Sequence, residues 1–185
     1  MNTEYIYKRA ASKIWLLRRL RIFIDETEIL TDFYVKEIRS ILEYAIPVWY
    51  SSITLEQSKY LEKIQQYSVS IILNNWSLSY KVKCTLLSIE PLYLRRRQIA
   101  LNFSKRTAAN PRHKDLFKIK TSAHNTRGNG IYYEEVSSRS DRHFKSPLVS
   151  LTRDMNKDIR NKTRGHWTDS CYCYCYNQVD RVMMW

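Results

Sequence analysis

ILEYAIPVWYSSITLEQSKYLEKIQ, residues 41–65, is the stretch on which the fold turns. Its first half closes a helical pattern and runs into Pro47, which has no N–H with which to continue a helix. Its second half opens with Thr54 and Gln57 at the T-x-x-Q spacing of a capping box. Leu61, Ile64, Ser68 and Ile71 then fall on one helical face, with Glu56, Lys59, Glu62 and Lys63 elsewhere. Between the two lie Val48, Trp49 and Tyr50, apolar bulk suited to fill the angle between antiparallel helices. The stretch therefore reads as a packed corner; the competing reading of Trp49 and Tyr50 as a stacking platform for a base is the less economical one.

Working outward, the preceding residues carry two more helices. Ala10, Ile14, Leu17, Leu20 and Ile24 follow the helical period, while Lys13, Arg18, Arg19 and Arg21 occupy other positions, which gives an amphipathic basic helix. In "DETE", Asp25 is placed as an N-cap with Glu28 three residues on, ahead of an apolar stripe of Leu30, Phe33, Ile38, Ile41 and Ala45 that should stop near Pro47. Beyond Asn74-Asn75, Val82, Leu86 and Leu87 suggest a short helix, and Pro91 suits the first turn of the next. There Leu92, Ile99 and Phe103 share a face, with Arg97 and Lys105 about 80° apart on the other side at ~100° per residue. Pro111 should end it.

Hydrophobic density falls between Lys118 and Asp141, which reads as loop with a short extended piece at residues 131–136, ordered only by docking. Pro147, Leu148, Leu151 and Met155 mark a short closing helix. The last 25 residues contain a Cys-Tyr repeat and no periodicity, and are expected to be a disordered or extraneous tail.

Composition agrees with helices. Three glycines and four prolines in 185 residues leave little turn chemistry for an all-β fold, and a 44% hydrophobic content can close a core. No apolar run approaches the roughly 18 residues of a membrane span, and the N-terminus lacks a signal peptide's order, so a soluble intracellular chain without membrane partners is expected. Cys84 stands apart from the cluster at 171–175, which is no disulfide framework.

The net charge of +13 is concentrated. From Pro91 to Lys120 there are nine Lys or Arg residues against one acid, Asp115. A phosphate backbone is the natural partner for such a stretch, because each neutralised phosphate releases condensed counterions; a solvated basic face is the alternative.

Catalytic signatures are missing. No D-x-D occurs and no two aspartates adjoin, and there is neither a G-x-x-x-x-G-K-[ST] nor a G-x-G-x-x-G phosphate loop. His113, His124, His143 and His166 form neither H-E-x-x-H nor H-x-x-x-H. His166 with Cys171, Cys173 and Cys175 could offer zinc four ligands, but C-x-C-x-C inside a repeat is not the C-x₂₋₄-C spacing of structural sites. No cofactor is expected.

Five phrases then stand in order: "RAASKIWLLRRLRIF", "IRSILEYAIPVWYSSITLEQSKYLEKIQ", "ALNFSKRTAANPRHKDLF", "HNTRG" and "RSDRHFKSPLVSLTRDMN". Over about residues 8–157 the chain resembles the region C-terminal to the polymerase domain in jockey-type (LINE-like) non-LTR retrotransposon reverse transcriptases. The expected fold is mostly α, with a basic helical bundle over residues 1–117 that the resemblance implies is thumb-like, a loop-rich segment with a short closing helix over 118–160, and a disordered or extraneous tail over 161–185. It departs from the family at "SIILNN", where a glycine is common after the aliphatic run, and in the Cys-Tyr tail. The family's catalytic motif, an aromatic residue followed by x-Asp-Asp, has no match. The resemblance thus implies a non-catalytic fragment of an RNA-directed DNA polymerase, in the nucleus or cytoplasm, that holds RNA–DNA or RNA backbone without regard to sequence. Its candidate contacts are Lys13, Arg18, Arg19, Arg21, Arg95, Arg96, Arg97, Lys105, Arg106, Arg112 and Lys114. A remnant that docks on a separate polymerase chain is the alternative.

Overall fold

A computed structural model describes residues 3–120 and 132–163. The chain is mostly α: α1 Thr3–Phe23, α2 Thr27–Phe33, α3 Ser40–Glu43, α4 Ile46–Trp49, α5 Leu55–Leu73, α6 Tyr80–Leu86, α7 Leu92–Ala109, α8 Asp141–Phe144 and α9 Pro147–Thr163. A π-helical segment, Tyr34–Arg39, joins α2 to α3, and a 3-10 turn spans Lys114–Leu116. Two compact units form, Met1–Ala100 and Leu101–Trp185, with the division inside α7.

In the first unit α1, the continuous α2–α3 rod and α5 pack against one another. Leu30, Tyr34, Ile38 and Leu42 are all fully buried. Their spacing of four would drift about 40° per step around an ideal α-helix. The π turns, with i→i+5 bonding, rotate less per residue and hold that stripe toward the core. Of the expected stripe, Leu30 and Ile38 are buried, whereas Phe33, Ile41 and Ala45 are only half-buried because a 3.6 period does not follow the π turns.

Three further expectations change. Asp25 is not an N-cap: α2 begins after Glu26, and the Asp25 carboxylate accepts from Arg21 Nη1 at 2.5 Å. Pro47 does not end the second helix: Tyr44 turns extended and Ala45 turns left-handed (φ 51°), so Pro47 sits in the first turn of α4 instead. In α6, Val82 and Leu86 face solvent, while Lys83 and Cys84 are buried, and in α7 Phe103 is exposed.

The corner packs through Trp49 alone, with Val48 exposed and Tyr50 half-buried. Trp49 is buried, and its indole N–H donates to the Tyr44 carbonyl at 2.6 Å. The Thr54 capping box is complete: Thr54 Oγ1 accepts from Gln57 N at 3.2 Å, and Gln57 Oε1 accepts from Thr54 N at 3.0 Å. Leu61, Ile64, Ser68 and Ile71 all point inward.

The second unit is pinned by one amide. Asn156 Oδ1 accepts from Tyr133 N and its Nδ2 donates to Tyr133 O, both at 2.9 Å, as a neighbouring strand would. The other edge of Tyr133 forms the antiparallel bridge to Ile119, with Lys120 N donating to Tyr132 O at 2.8 Å and Glu134 N to Lys118 O at 2.7 Å. Phe117 is buried edge-to-face against Tyr133, so the extended piece is ordered by docking. Met155, Leu151 and Val149 of α9 complete the apolar part, while Leu148 is more exposed than its spacing implied. Pro147 opens α9, which runs to Thr163. The expected disordered tail, apart from 161–163 in α9, and the His166 and cysteine cluster lie outside the described residues.

Candidate nucleic-acid interface

The eleven candidate cations divide into two groups. Five are committed to the fold. Lys13 Nζ donates to Glu37 at 2.8 Å, Arg21 pairs with Asp25, and Lys105 Nζ donates to Asp158 at 2.7 Å. Arg95 grips Glu43 with both Nε and Nη2, and Arg39 Nε stands 3.5 Å from the same carboxylate.

Arg96 is the strongest correction: only 2% of it is exposed, so no phosphate can reach it. Its Nη2 donates to Ser58 Oγ at 2.6 Å and lies 3.8 Å from Glu62 Oε2, while Nη1 has no partner. Glu62 is equally enclosed, its Oε1 accepting from the Tyr80 hydroxyl at 2.6 Å and from Leu92 N at 3.0 Å. Burial pushes the Glu62 carboxyl above the usual carboxylate range, outweighing Tyr80 and Arg96, which pull it down. The cluster ties α5, α6 and α7 together; it is internal architecture.

A neighbouring network is similarly enclosed. Tyr34 OH donates to Gln65 Oε1 at 2.9 Å, and Gln65 Nε2 donates to Glu90 O at 3.0 Å. Burial raises the adjacent Cys84 thiol to about 11, far from the thiolate a nucleophile needs. Lys83 Nζ donates to Ser70 Oγ at 2.8 Å, but Ser70 is buried and its own hydroxyl donates to Gln66 O at 2.9 Å. That geometry spends the serine proton on the helix backbone.

The other six cations, Arg18, Arg19, Arg97, Arg106, Arg112 and Lys114, have no carboxylate partner among the described residues. Arg97 is half-buried and the rest are exposed. The Arg19 guanidinium stands 5.1 Å from the centre of the exposed Trp15 ring. In the second unit Arg106, Arg112 and Lys114 are joined by Lys118 and Lys120, exposed and equally unpaired, which the candidate set omitted although they lie in the same basic stretch. This segment is tethered: Asn110 Oδ1 accepts from Arg112 N at 3.0 Å, Asn110 O accepts from His113 N at 3.0 Å, and Phe117 buries its ring. Arg106 also lies in the last turn of α7, the end of a helix that favours cations.

An open cleft of about 520 Å³ lies beside the Ile119–Tyr133 bridge, where Lys120 and Arg160 are offset by Glu134 and Glu135, so its charge is balanced. No three His, Cys, Asp or Glu side chains converge on one point among the described residues, and no described helix is long and apolar enough to cross a membrane. Comparison of the chain with protein-family models, curated proteins and solved structures gives no match.

Proposed function

We propose that this chain is a non-catalytic, helical part of a non-LTR retrotransposon reverse transcriptase that holds the backbone of an RNA–DNA hybrid. The observation that carries the reading is the segment 106–120, where five exposed cations stand without carboxylate partners beside the single acid Asp115. Cations already satisfied by carboxylates gain little from a phosphate; unpaired ones gain the counterion release that drives such binding. Contacts of this kind position a duplex without reading its bases, as a surface that follows a growing hybrid requires.

The test is fluorescence anisotropy with an RNA–DNA hybrid across a salt series. Five phosphate contacts predict a log–log slope of about −4.5, at ~0.9 per phosphate. Arg106→Glu, Arg112→Glu and Lys114→Glu together should make the slope shallower by about 3 and weaken every hybrid sequence alike. An unchanged slope in that triple variant would sink the assignment.

A second reading, a remnant that docks on a separate polymerase chain, is favoured by the outward face of α1, where Tyr5, Trp15, Leu16, Ile22 and Phe23 are exposed. Under that reading the full chain alone should melt without cooperativity in circular dichroism.

A further inference from the structure

The first unit carries a row of aromatic side chains that the phosphate-gripping role does not use. On α5, Tyr60, Lys63 and Tyr67 recur at i, i+3 and i+7 and so share one face. Tyr60 is 55% exposed, Tyr67 48%, and Trp76, just past the helix, 58%. Tyr7 of α1 meets Tyr60 edge-to-face with centroids 6.1 Å apart, and Tyr67 meets Trp76 in the same way at 5.8 Å. Lys63 Nζ stands 5.7 Å from the Tyr60 ring centre. Neither the Tyr60 nor the Tyr67 hydroxyl, nor the Trp76 indole N–H, has a hydrogen-bond partner among the described residues.

The loop bearing Trp76 is built to hold it. Asn74 closes α5 in the left-handed conformation, and Asn75 Oδ1 accepts from Ser77 N, Ser77 Oγ and Leu78 N at 2.9–3.1 Å. Edge-to-face pairing occupies one side of a ring and leaves about half of each ring in water. Rings whose only task was packing would bury more of themselves and satisfy their polar tips.

We infer that this row, Tyr60, Tyr67 and Trp76 with Lys63, is a stacking platform for unpaired bases of a single-stranded nucleic acid. The inference rests on the reading that the chain binds nucleic acid, and adds a second surface with a different ligand form. Charge complementarity selects the occupant: rings that accept any base face flank the Lys63 ammonium, which suits an intervening phosphate. The nearby acids are Glu56, one turn before Tyr60, and Glu4, which pairs with Lys8.

The test uses the full chain and three probes of equal length: an oligo(dT) dodecamer, an abasic dodecamer that keeps the phosphates, and an RNA–DNA hybrid. Oligo(dT) should bind more tightly than the abasic strand. Tyr67→Ala and Trp76→Ala should each lose about fivefold to a hundredfold for oligo(dT), with hybrid and abasic binding unchanged, while Tyr67→Phe, which keeps the ring, should bind as the parent does. Equal affinity for the two strands, or ring variants that bind oligo(dT) normally, would overturn the platform alone. Failure of the parent chain to bind any probe would overturn both readings. Sedimentation that shows a dimer dissociated by Trp76→Ala would assign the row to a second copy of the chain and also end the inference.

Discussion

Replacing Arg96 with methionine separates architecture from binding. The guanidinium and the Glu62 carboxylate are both almost wholly enclosed, so Arg96→Met leaves a carboxylate facing a methyl thioether in place of its counterion. Breaking one side of a buried pair costs about 3–5 kcal/mol, whereas replacing both partners is often neutral. For a unit of this size ~1 kcal/mol moves the melting temperature by roughly 4–8 °C, so a drop above about 10 °C is expected. Glu62→Gln added to Arg96→Met should recover most of it, because the amide oxygen still accepts from Tyr80 and Leu92.

The deficit should also depend on pH. Burial raises the folded-state carboxyl of Glu62 above its unfolded value, so the folded chain binds the extra proton and stability falls as pH rises through that window. Removing Arg96 takes away a group that lowers Glu62 and pushes the window higher. Urea unfolding should therefore show a larger deficit at pH 8 than at pH 5, and Arg97→Met should stay within about 0.5 kcal/mol of the parent at both. An Arg96→Met chain as stable as the parent at pH 8, or equally weakened at both pH values, would refute the reasoning.

Two smaller perturbations test the corner and the amide clamp. Ala45 holds φ 51°, a conformation that costs a residue with a Cβ about 1–2 kcal/mol, part of which glycine gives back through the unfolded chain. Ala45→Gly should therefore stabilise by about 0.5–1 kcal/mol in thermal melts; a lower melting point would contradict that account of the turn. Asn156→Ala removes both bonds to Tyr133 and should cost about 1–3 kcal/mol, with the Tyr133 amide exchanging at least about tenfold faster by hydrogen exchange. Protection retained at Tyr133 would mean that the Ile119 bridge alone holds the segment.

What could be read from the chain was local. Thr54 and Gln57 are three residues apart and cap the helix that contains them, so their pairing needs no knowledge of the fold. Pro47 and Trp49 announced a corner, although the turn is made by Tyr44 and Ala45, whose residue types carry no turn signal. The stripe of the α2–α3 rod is legible at Leu30 and Ile38 but not at Tyr34 and Leu42, because its spacing of four departs from a period of 3.6 and only the π turns reconcile the two. Val82, Leu86 and Phe103 looked like core residues because they are apolar. Their helices instead bury Lys83, Cys84 and Arg96, for which partners arrive from other helices: Ser70 for Lys83, Ser58 and Glu62 for Arg96.

The same separation explains why a run of cations does not define an interface. Lys13, Arg95 and Lys105 are consumed by Glu37, Glu43 and Asp158, carboxylates 24, 52 and 53 residues away, and no local pattern foretells such pairs. Burial alone would raise the Asp158 carboxyl, yet Lys105 and Lys162 together hold it below the usual range, so that pair is a commitment of the fold. Folding thus sorts one basic stretch into paired and unpaired cations. Arg95 and Arg96 close helix contacts in the first unit, while Arg106, Arg112, Lys114, Lys118 and Lys120 remain unclaimed in the second. A charge count weighs all of these alike, but salt can reveal the difference. Screening competes with exposed, unpaired cations for phosphate and reaches the enclosed Arg96–Glu62 pair far less. Nucleic-acid affinity should therefore fall steeply over a salt range in which the stability of the first unit hardly changes.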